Sequence, residues 1–232
     1  MLLRHEVNRG VGAALKTGCQ WARQAGITTV IAMDADGQHD PRILPEFVRQ
    51  AERSDLVIGQ RFSADSDIPD AKAGANLLGS CLLEEYTKGR LRDSSCGYRA
   101  FDPATADPAW PDGYGFLHYQ LVRGIESSVL GVVEVPTIYH PTEPWFTRRQ
   151  EIAGFVLALA GHKNMLGRRD LLDQLVADLD TPRSFSCEVA AVHFDAHYLE
   201  GPDAYLIQAA GARELLATRP VEAGPAHAGP AA

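Results

Sequence analysis

The stretch from residue 27 to residue 40, ITTVIAMDADGQHD, decides the fold. Its first seven residues are all apolar or β-branched, which is typical of a buried strand in a parallel sheet. The run ends abruptly at Asp34 and Asp36, and Pro41 then stands where a helix would begin. A buried strand that gives way at once to polar residues predicts an α/β fold with a ligand site at the carboxyl end of that strand.

Helix and strand patterns alternate outward from this stretch. Upstream, Asn8 is a suitable helix N-cap, and the residues after it predict a helix over Val11–Gln24. Downstream, the patterns predict helices after Pro41 and over about 71–86 and 114–130, and strands over 55–59 and 131–139. Residues 93–101 are predicted to form a turn that leads into a strand. This alternation predicts a domain over residues 1–150 with a mostly parallel sheet flanked by helices.

The remainder of the chain is harder to interpret. Residues 151–219 are predicted to form a C-terminal α/β extension, with helices over 151–159, 168–179 and 204–218 and a strand pair over 186–199. Its role does not follow from the sequence. Residues 220–232 are almost all proline, alanine and glycine, a composition that predicts a disordered tail.

Composition excludes several classes of protein. The formal charge of −8 disfavours a nucleic-acid partner. The four cysteines contain no CxxC pair, which argues against a disulfide scaffold or a zinc site and favours a reducing compartment. No apolar run approaches the roughly 20 residues that cross a bilayer, and no apolar signal region follows Met1. The sequence therefore predicts a soluble, cytoplasmic protein.

The two aspartates after the first strand form a candidate metal site. Asp34 and Asp36 lie at positions i and i+2 of a turn and can converge on one divalent cation, and Gln38 adds an amide oxygen. Mg²⁺ and Mn²⁺ prefer oxygen ligands and often complete their coordination with substrate phosphates. The alternative is a solvated acidic turn in which Asp40 caps the helix at Pro41. The buried strand in front of the turn favours the Mg²⁺ or Mn²⁺ site.

Further polar residues follow other predicted strands. Arg61 comes just after the second strand, where its guanidinium could bind a phosphate through two parallel hydrogen bonds. The alternative is a surface arginine paired with one of the aspartates that follow it. In the segment 93–101, Gly97 permits a tight turn beside a ligand, Asp93 offers a carboxylate and Arg99 offers a second phosphate partner.

Five motifs occur in one order along residues 1–150. They are Asn8-x-Gly10-x-Gly12-x-Ala14, residues 33–39 (MDADGQH), Gly59-x-Arg61, residues 93–99 (DSSCGYR) and Glu134-Val135-Pro136. Together they resemble family 2 glycosyltransferases, in the branch that acts on dolichyl and bacterial polyprenyl phosphates. The resemblance implies a GT-A fold, a nucleotide-sugar donor and inverting transfer of the sugar to a polyprenyl (dolichyl-type) phosphate.

The resemblance also implies roles for individual residues. Asp34, Asp36 and Gln38 would hold Mg²⁺ or Mn²⁺ on the diphosphate of the donor. The phosphates of donor or acceptor would be bound by a basic group comprising Arg61, Lys72 and Arg99. Asp93 would join Arg61 in catalysis, either by facing the sugar or by ordering the acceptor loop. The acceptor lies at the membrane surface, so the implied location is cytoplasmic and peripheral at the inner membrane face.

The beginning of the chain departs from the family pattern. Residues 1–7 look like the end of the family's third strand, so on the order of 50 residues that cradle the donor's base and ribose are expected to be absent. This predicts weak binding of nucleotide sugars. It also predicts an open sheet edge, either covered by residues 163–219 or paired in a homodimer. The alternatives are a non-catalytic remnant or interaction domain that lacks the base pocket, and a transferase with a soluble acceptor.

Overall fold

The computed structural model describes residues 2–62, 68–84, 91–113, 115–126, 132–136, 147–160 and 169–218. The helices are α1 (Val11–Gln24), α2 (Leu44–Ala51), α3 (Asp70–Leu82), α4 (Phe116–Glu126), α5 (Arg149–Ala160), α6 (Arg169–Asp180) and α7 (Ala212–Thr218). The strands are β1 (Val30–Ala32), β2 (Leu56–Gln60), β3 (Arg99–Phe101), β4 (Val132–Pro136), β5 (Thr147–Arg148), β6 (Phe185–Val189), β7 (Val192–Leu199) and β8 (Ala204–Gln208).

The first sheet has four strands in the order β1-β3-β2-β4. β2 and β4 are parallel, whereas β3 runs antiparallel to both of its neighbours, β1 and β2. Two of its three strand pairs are therefore antiparallel, so the predicted mostly parallel sheet is not confirmed. The strands β1 and β2 are not adjacent, but they share one direction because β3 is antiparallel to both. Because both run the same way, the residues that follow them, Asp34 and Arg61, still emerge at the same edge.

The core is built around β2, whose residues are all buried. Its Val57 and Ile58 have no exposed surface, and neither has Phe47 of α2, Leu77 of α3 or Leu121 of α4. Burying a side chain of this size contributes about 1.5–3 kcal/mol. The sheet is therefore a fixed support for the loops at its edge.

The strand β1 is shorter and more exposed than its sequence predicts. It pairs only with β3 among the described residues, and all three of its residues are half-buried. Trp21, Ile27 and Met33, in or near α1 and β1, each expose more than a third of their surface. Coverage of this edge by the C-terminal segment is wrong for the described residues, because β6, β7 and β8 pair with one another and with β5. Self-association stays a prediction.

The second sheet, in the order β5-β8-β7-β6, is antiparallel throughout and packs against α3. The contact between α3 and β8 is very close at Gly74. A Cβ atom at Gly74 would lie 2.1 Å from the carbonyl oxygen of Ile207. Any other residue there would force the helix and the strand apart, since main-chain atoms cannot rotate away.

The predicted helix over 204–218 is wrong in its first half. Residues 204–208 form β8, with Ala204, Tyr205 and Ile207 buried, and only the part from Ala212 is helical. Gly211, with φ of +66°, separates the two elements. The predicted tail, 220–232, lies outside the described residues. None of the described helices is both long and apolar enough to cross a bilayer.

Candidate functional site

A cleft of about 800 Å³ is lined by the residues that directly follow β1 and β2. This volume lies within the range of small-molecule binding sites. Its lining includes four of the predicted site residues on these loops and one on α3, namely Asp34, Asp36, Gln38, Arg61 and Lys72. The same cleft is therefore lined by carboxylate side chains and by cationic side chains.

The loop after β1 is held by hydrogen bonds within itself. The backbone N–H of Asp34 donates to Nδ1 of His39 (3.1 Å), and the backbone N–H of Gln38 donates to Oδ1 of Asp36 (3.0 Å). His39 stacks on Tyr98 with ring centroids 5.0 Å apart. Burial lowers the pKa of His39, although the charge of Asp34 acts in the opposite direction. A neutral ring keeps Nδ1 available as the acceptor.

Gly97 leaves room for the Asp34 carboxylate. A Cβ atom at position 97 would lie 3.1 Å from Oδ2 of Asp34, closer than ordinary van der Waals contact. The absence of a side chain there creates space directly beside a carboxylate oxygen. Such a space can hold a ligand of that oxygen.

The oxygen donors fit a magnesium or manganese ion shared with a substrate. No group of three or more histidine, cysteine, aspartate or glutamate side chains suited to a metal occurs among the described residues. Asp34 and Asp36 do line the same cleft, and Gln38 adds an amide oxygen. Mg²⁺ is commonly bound by one or two carboxylates plus substrate phosphates. The donor set and the space beside Gly97 therefore fit a cation that binds together with a diphosphate.

Arg61 and Asp93 form a buried ion pair. Arg61 donates from Nε to Oδ2 of Asp93 (2.7 Å) and from Nη2 to Oδ1 (2.8 Å), and its backbone N–H donates to Oδ2 (3.1 Å). Nη2 also donates to Oγ of Ser95 (2.8 Å). The Asp93 side chain is completely buried, whereas that of Arg61 is 11% exposed. Asp93 thus contacts Arg61 and is not among the residues that line the cleft, so the structure does not show the expected contact with the sugar.

Arg99 is not at the rim of the cleft, which corrects its assignment as a phosphate ligand. It is completely buried, and its guanidinium donates to the carbonyl oxygens of Ser94, Cys96 and Leu117 and to Oε1 of Gln120. Burial lowers its pKa to about 10, so it remains charged at neutral pH. Arg99 therefore connects the 94–96 loop to α4.

Lys72 lies half-buried in the wall that α3 contributes to the cleft. Burial is the main cause that lowers its pKa, and the charge of Arg61 adds to this effect. The charges of Glu151 and Asp36 oppose it. Arg61, Glu151 and Asp36 therefore all lie within electrostatic reach of Lys72.

Most of the residues that line this cleft lie in a segment that matches a known family. Residues 2–104 match the model described as glycosyl transferase family 2. This segment is similar to glycosyltransferase family 2 domains. The matched segment of the family 2 domain contains Asp34, Asp36, Arg61, Lys72 and Asp93, and a GT-A-like α/β fold follows from the match.

Curated relatives extend the similarity beyond the matched segment. The chain is 30% identical over 148 residues to the undecaprenyl-phosphate mannosyltransferase of Micrococcus luteus, covering 60% of each chain. It is 29% identical over 147 residues to the polyprenol monophosphomannose synthase of Mycolicibacterium smegmatis, covering 58% of this chain and 54% of the relative. It is also 31% identical over 104 residues to the UDP-N-acetylglucosamine–dolichyl-phosphate N-acetylglucosaminyltransferase of Methanococcus voltae, covering 43% and 41%. The chain thus spans at most 60% of the length of these relatives.

Two residues of the cleft were missed by the sequence analysis. His118 of α4 and Glu151 of α5 line the cleft, and both lie outside the matched segment of the family 2 domain. Neither belongs to a motif: His118 stands between Leu117 and Tyr119, and Glu151 lies in the first turn of α5, between Gln150 and Ile152. Only the packing of α4 and α5 beside the domain brings them to the cleft.

The His118 ring should make the protein less stable in acid. Its buried position lowers its pKa from 6.5 to about 3, and the charge of Arg99 contributes to this shift. Because the unfolded ring gains a proton as the pH falls below 6.5 and the folded ring does not, stability is lost between pH 6.5 and about 3. At pH 5 the loss should be about 2 kcal/mol.

Urea unfolding of the wild type and of His118→Phe at pH 7.5 and pH 5 tests this expectation. The phenylalanine variant should lose less stability than the wild type between the two pH values. Equal losses in the two proteins would contradict a folded ring that stays neutral.

Proposed function

We propose that the protein transfers a sugar from a nucleotide-sugar donor to a polyprenyl phosphate, with inversion, in the presence of Mg²⁺ or Mn²⁺. The observation that carries the proposal is the cleft that brings Asp34, Asp36 and Gln38 together with Arg61 and Lys72. Carboxylates suit a cation, and cationic side chains suit phosphates. Both substrates of such a transfer carry phosphate groups.

The roles of the residues follow from this arrangement. Asp34, Asp36 and Gln38 would hold the metal ion, which would supply positive charge to the departing diphosphate. Arg61, oriented by Asp93, and Lys72 would bind phosphate oxygens and stabilise the negative charge that develops as the donor bond breaks. An oxygen of the acceptor phosphate forms the bond to the anomeric carbon, and the bond from that carbon to the nucleoside diphosphate breaks. The acceptor is already anionic, so the reaction requires no strong general base.

The names of the relatives support a lipid phosphate as acceptor. They describe transfer to undecaprenyl phosphate and to dolichyl phosphate. We propose that this protein likewise meets its acceptor at the membrane surface, as a peripheral protein on the cytoplasmic side. The donor sugar differs among these relatives, so their names do not select one for this chain.

A transfer assay tests the proposal. The purified chain is incubated with undecaprenyl phosphate in lipid vesicles, Mn²⁺ and millimolar GDP-mannose, UDP-glucose or UDP-N-acetylglucosamine. We expect a lipid-linked sugar from at least one donor, and no product when the metal is removed by EDTA. No product from any donor, with the chain folded, would overturn the proposal and favour the non-catalytic alternative.

A further inference from the structure

Three side chains that line the cleft have no part in the proposed binding of phosphate. Glu151 and Phe155 lie one turn apart on the same face of α5, and both line the cleft. His118 of α4 packs on Phe155 with ring centroids 3.8 Å apart. Two helices thus contribute a carboxylate and an imidazole to the lining of the same cleft.

The charges of these groups do not suit a phosphate. A carboxylate without a metal ion repels phosphate, so Glu151 is better suited to another part of the substrate. The His118 ring stays neutral at physiological pH because burial lowers its pKa to about 3. Its Nδ1 atom is buried and has no hydrogen-bond partner among the described residues. The pair therefore offers one anionic and one neutral hydrogen-bonding group.

The position of this pair relates it to the phosphate-binding region. Glu151 and Asp36 both influence the pKa of Lys72, so the carboxylate lies within electrostatic reach of the cationic group proposed to bind phosphate. A sugar attached to a phosphate at Lys72 would extend into the surrounding cleft. The hydroxyl groups of a sugar donate hydrogen bonds, and a carboxylate is a strong acceptor of such bonds.

Later parts of the C-terminal extension hold the start of α5, and with it Glu151, in place. Two residues before it, Arg149 donates from Nε to Oδ1 of Asp203 (2.7 Å) and from Nη2 to Oδ2 (3.0 Å). Nη1 of Arg149 also donates to the carbonyl oxygen of Leu179 at the end of α6 (3.2 Å). The first turn of α5 is therefore tied both to the second sheet and to α6.

We infer that Glu151 and His118 form a subsite that binds hydroxyl groups of the transferred sugar, with the C-terminal extension as the support that positions it. The inference rests on the proposed function, since it assigns the sugar end of the same cleft. It gives residues 151–218 a role in selecting the substrate.

Sugar 1-phosphates test the subsite without a nucleotide. Binding of inorganic phosphate and of the 1-phosphates of mannose, glucose and N-acetylglucosamine is measured by NMR titration of the purified chain. The wild type should bind at least one sugar 1-phosphate more tightly than inorganic phosphate. Glu151→Gln should weaken binding of the preferred sugar 1-phosphate about tenfold. His118→Phe, which keeps a ring against Phe155, should weaken it about fivefold.

Inorganic phosphate and a matched variant provide the controls. Neither substitution should weaken the binding of inorganic phosphate, because neither residue is proposed to contact the phosphate. Glu200→Gln makes the same chemical change in an exposed turn of the second sheet and should leave all affinities unchanged. The inference would be overturned if the substitutions weakened the binding of inorganic phosphate and of sugar 1-phosphate equally. It would also be overturned if the wild type bound no sugar 1-phosphate more tightly than inorganic phosphate.

The assay for lipid transfer separates failure of this inference from failure of the proposed function. Sugar binding that depends on Glu151 without any transfer would contradict the proposed function alone. Transfer with a sugar preference that Glu151→Gln leaves intact would contradict the subsite alone.

Discussion

Replacing Asp34 with asparagine should lower the rate of sugar transfer to polyprenyl phosphate about a hundredfold or more. A bound cation stabilises the charge of the departing diphosphate by several kcal/mol, and each 1.36 kcal/mol is about a factor of ten in rate. Asparagine keeps the size of the side chain beside Gly97 but removes the negative charge that binds the cation. The transfer assay, repeated over a range of Mn²⁺ concentrations, measures both the rate and the apparent affinity for the metal.

Asp40→Asn is the matched control for this loss. Asp40 lies in the same loop, but its Oδ1 accepts the backbone N–H of Arg42 (2.9 Å) and so caps the short 3₁₀ turn at Pro41. Asparagine is an equally good cap. We expect Asp40→Asn to retain transfer and its dependence on Mn²⁺. An Asp34→Asn variant with wild-type activity would remove the metal from the proposed mechanism.

Asp93→Asn should lower the free energy of unfolding by about 3–5 kcal/mol. The substitution leaves the Arg61 guanidinium in a site where only 11% of its side chain is exposed, without the carboxylate that neutralises it. An uncompensated buried charge is much more costly than the loss of an exposed ion pair. Urea unfolding at neutral pH measures the effect.

Two further variants separate charge from geometry. Glu46 and Arg49 form a comparable two-pronged pair on the exposed surface of α2, so Glu46→Gln should cost no more than about 1 kcal/mol. Arg61→Lys keeps the positive charge but cannot donate to both carboxylate oxygens in the planar arrangement of a guanidinium. It should be less stable than the wild type, and similar stability in all of these proteins would contradict the buried ion pair.

Much of the fold follows from local sequence. The helix over Val11–Gln24 has the predicted bounds, and α3 and the strands β2 and β4 lie within or close to the predicted segments. These elements have strong apolar patterns, which depend only on neighbouring residues. The order of the strands does not follow, because the insertion of β3 between β1 and β2 is decided by packing between distant segments.

The candidate site could also be predicted from the sequence only in part. The residues after β1 were found because an acidic turn directly follows a buried strand. The assignment of Arg99 as a phosphate ligand was wrong because sequence does not distinguish an arginine at a rim from one whose guanidinium is enclosed by carbonyl oxygens. Glu151 was missed because its place in the cleft depends on the packing of α5, which no local pattern encodes.

The position of β3 between β1 and β2 has a consequence for the order in which the protein folds. The site depends on contacts between distant parts of the chain, such as Arg61 with Asp93, 32 positions apart, and Tyr98 with Asp40, 58 positions apart. Such contacts form only after long loops close, at an entropic cost that slows folding. We therefore expect the ion pair and the space beside Gly97 to form only once residues 99–101 lie between β1 and β2. A chain in which the first sheet is incomplete should therefore lack the cleft. Ligand binding during refolding can then be used to measure when the first sheet is complete.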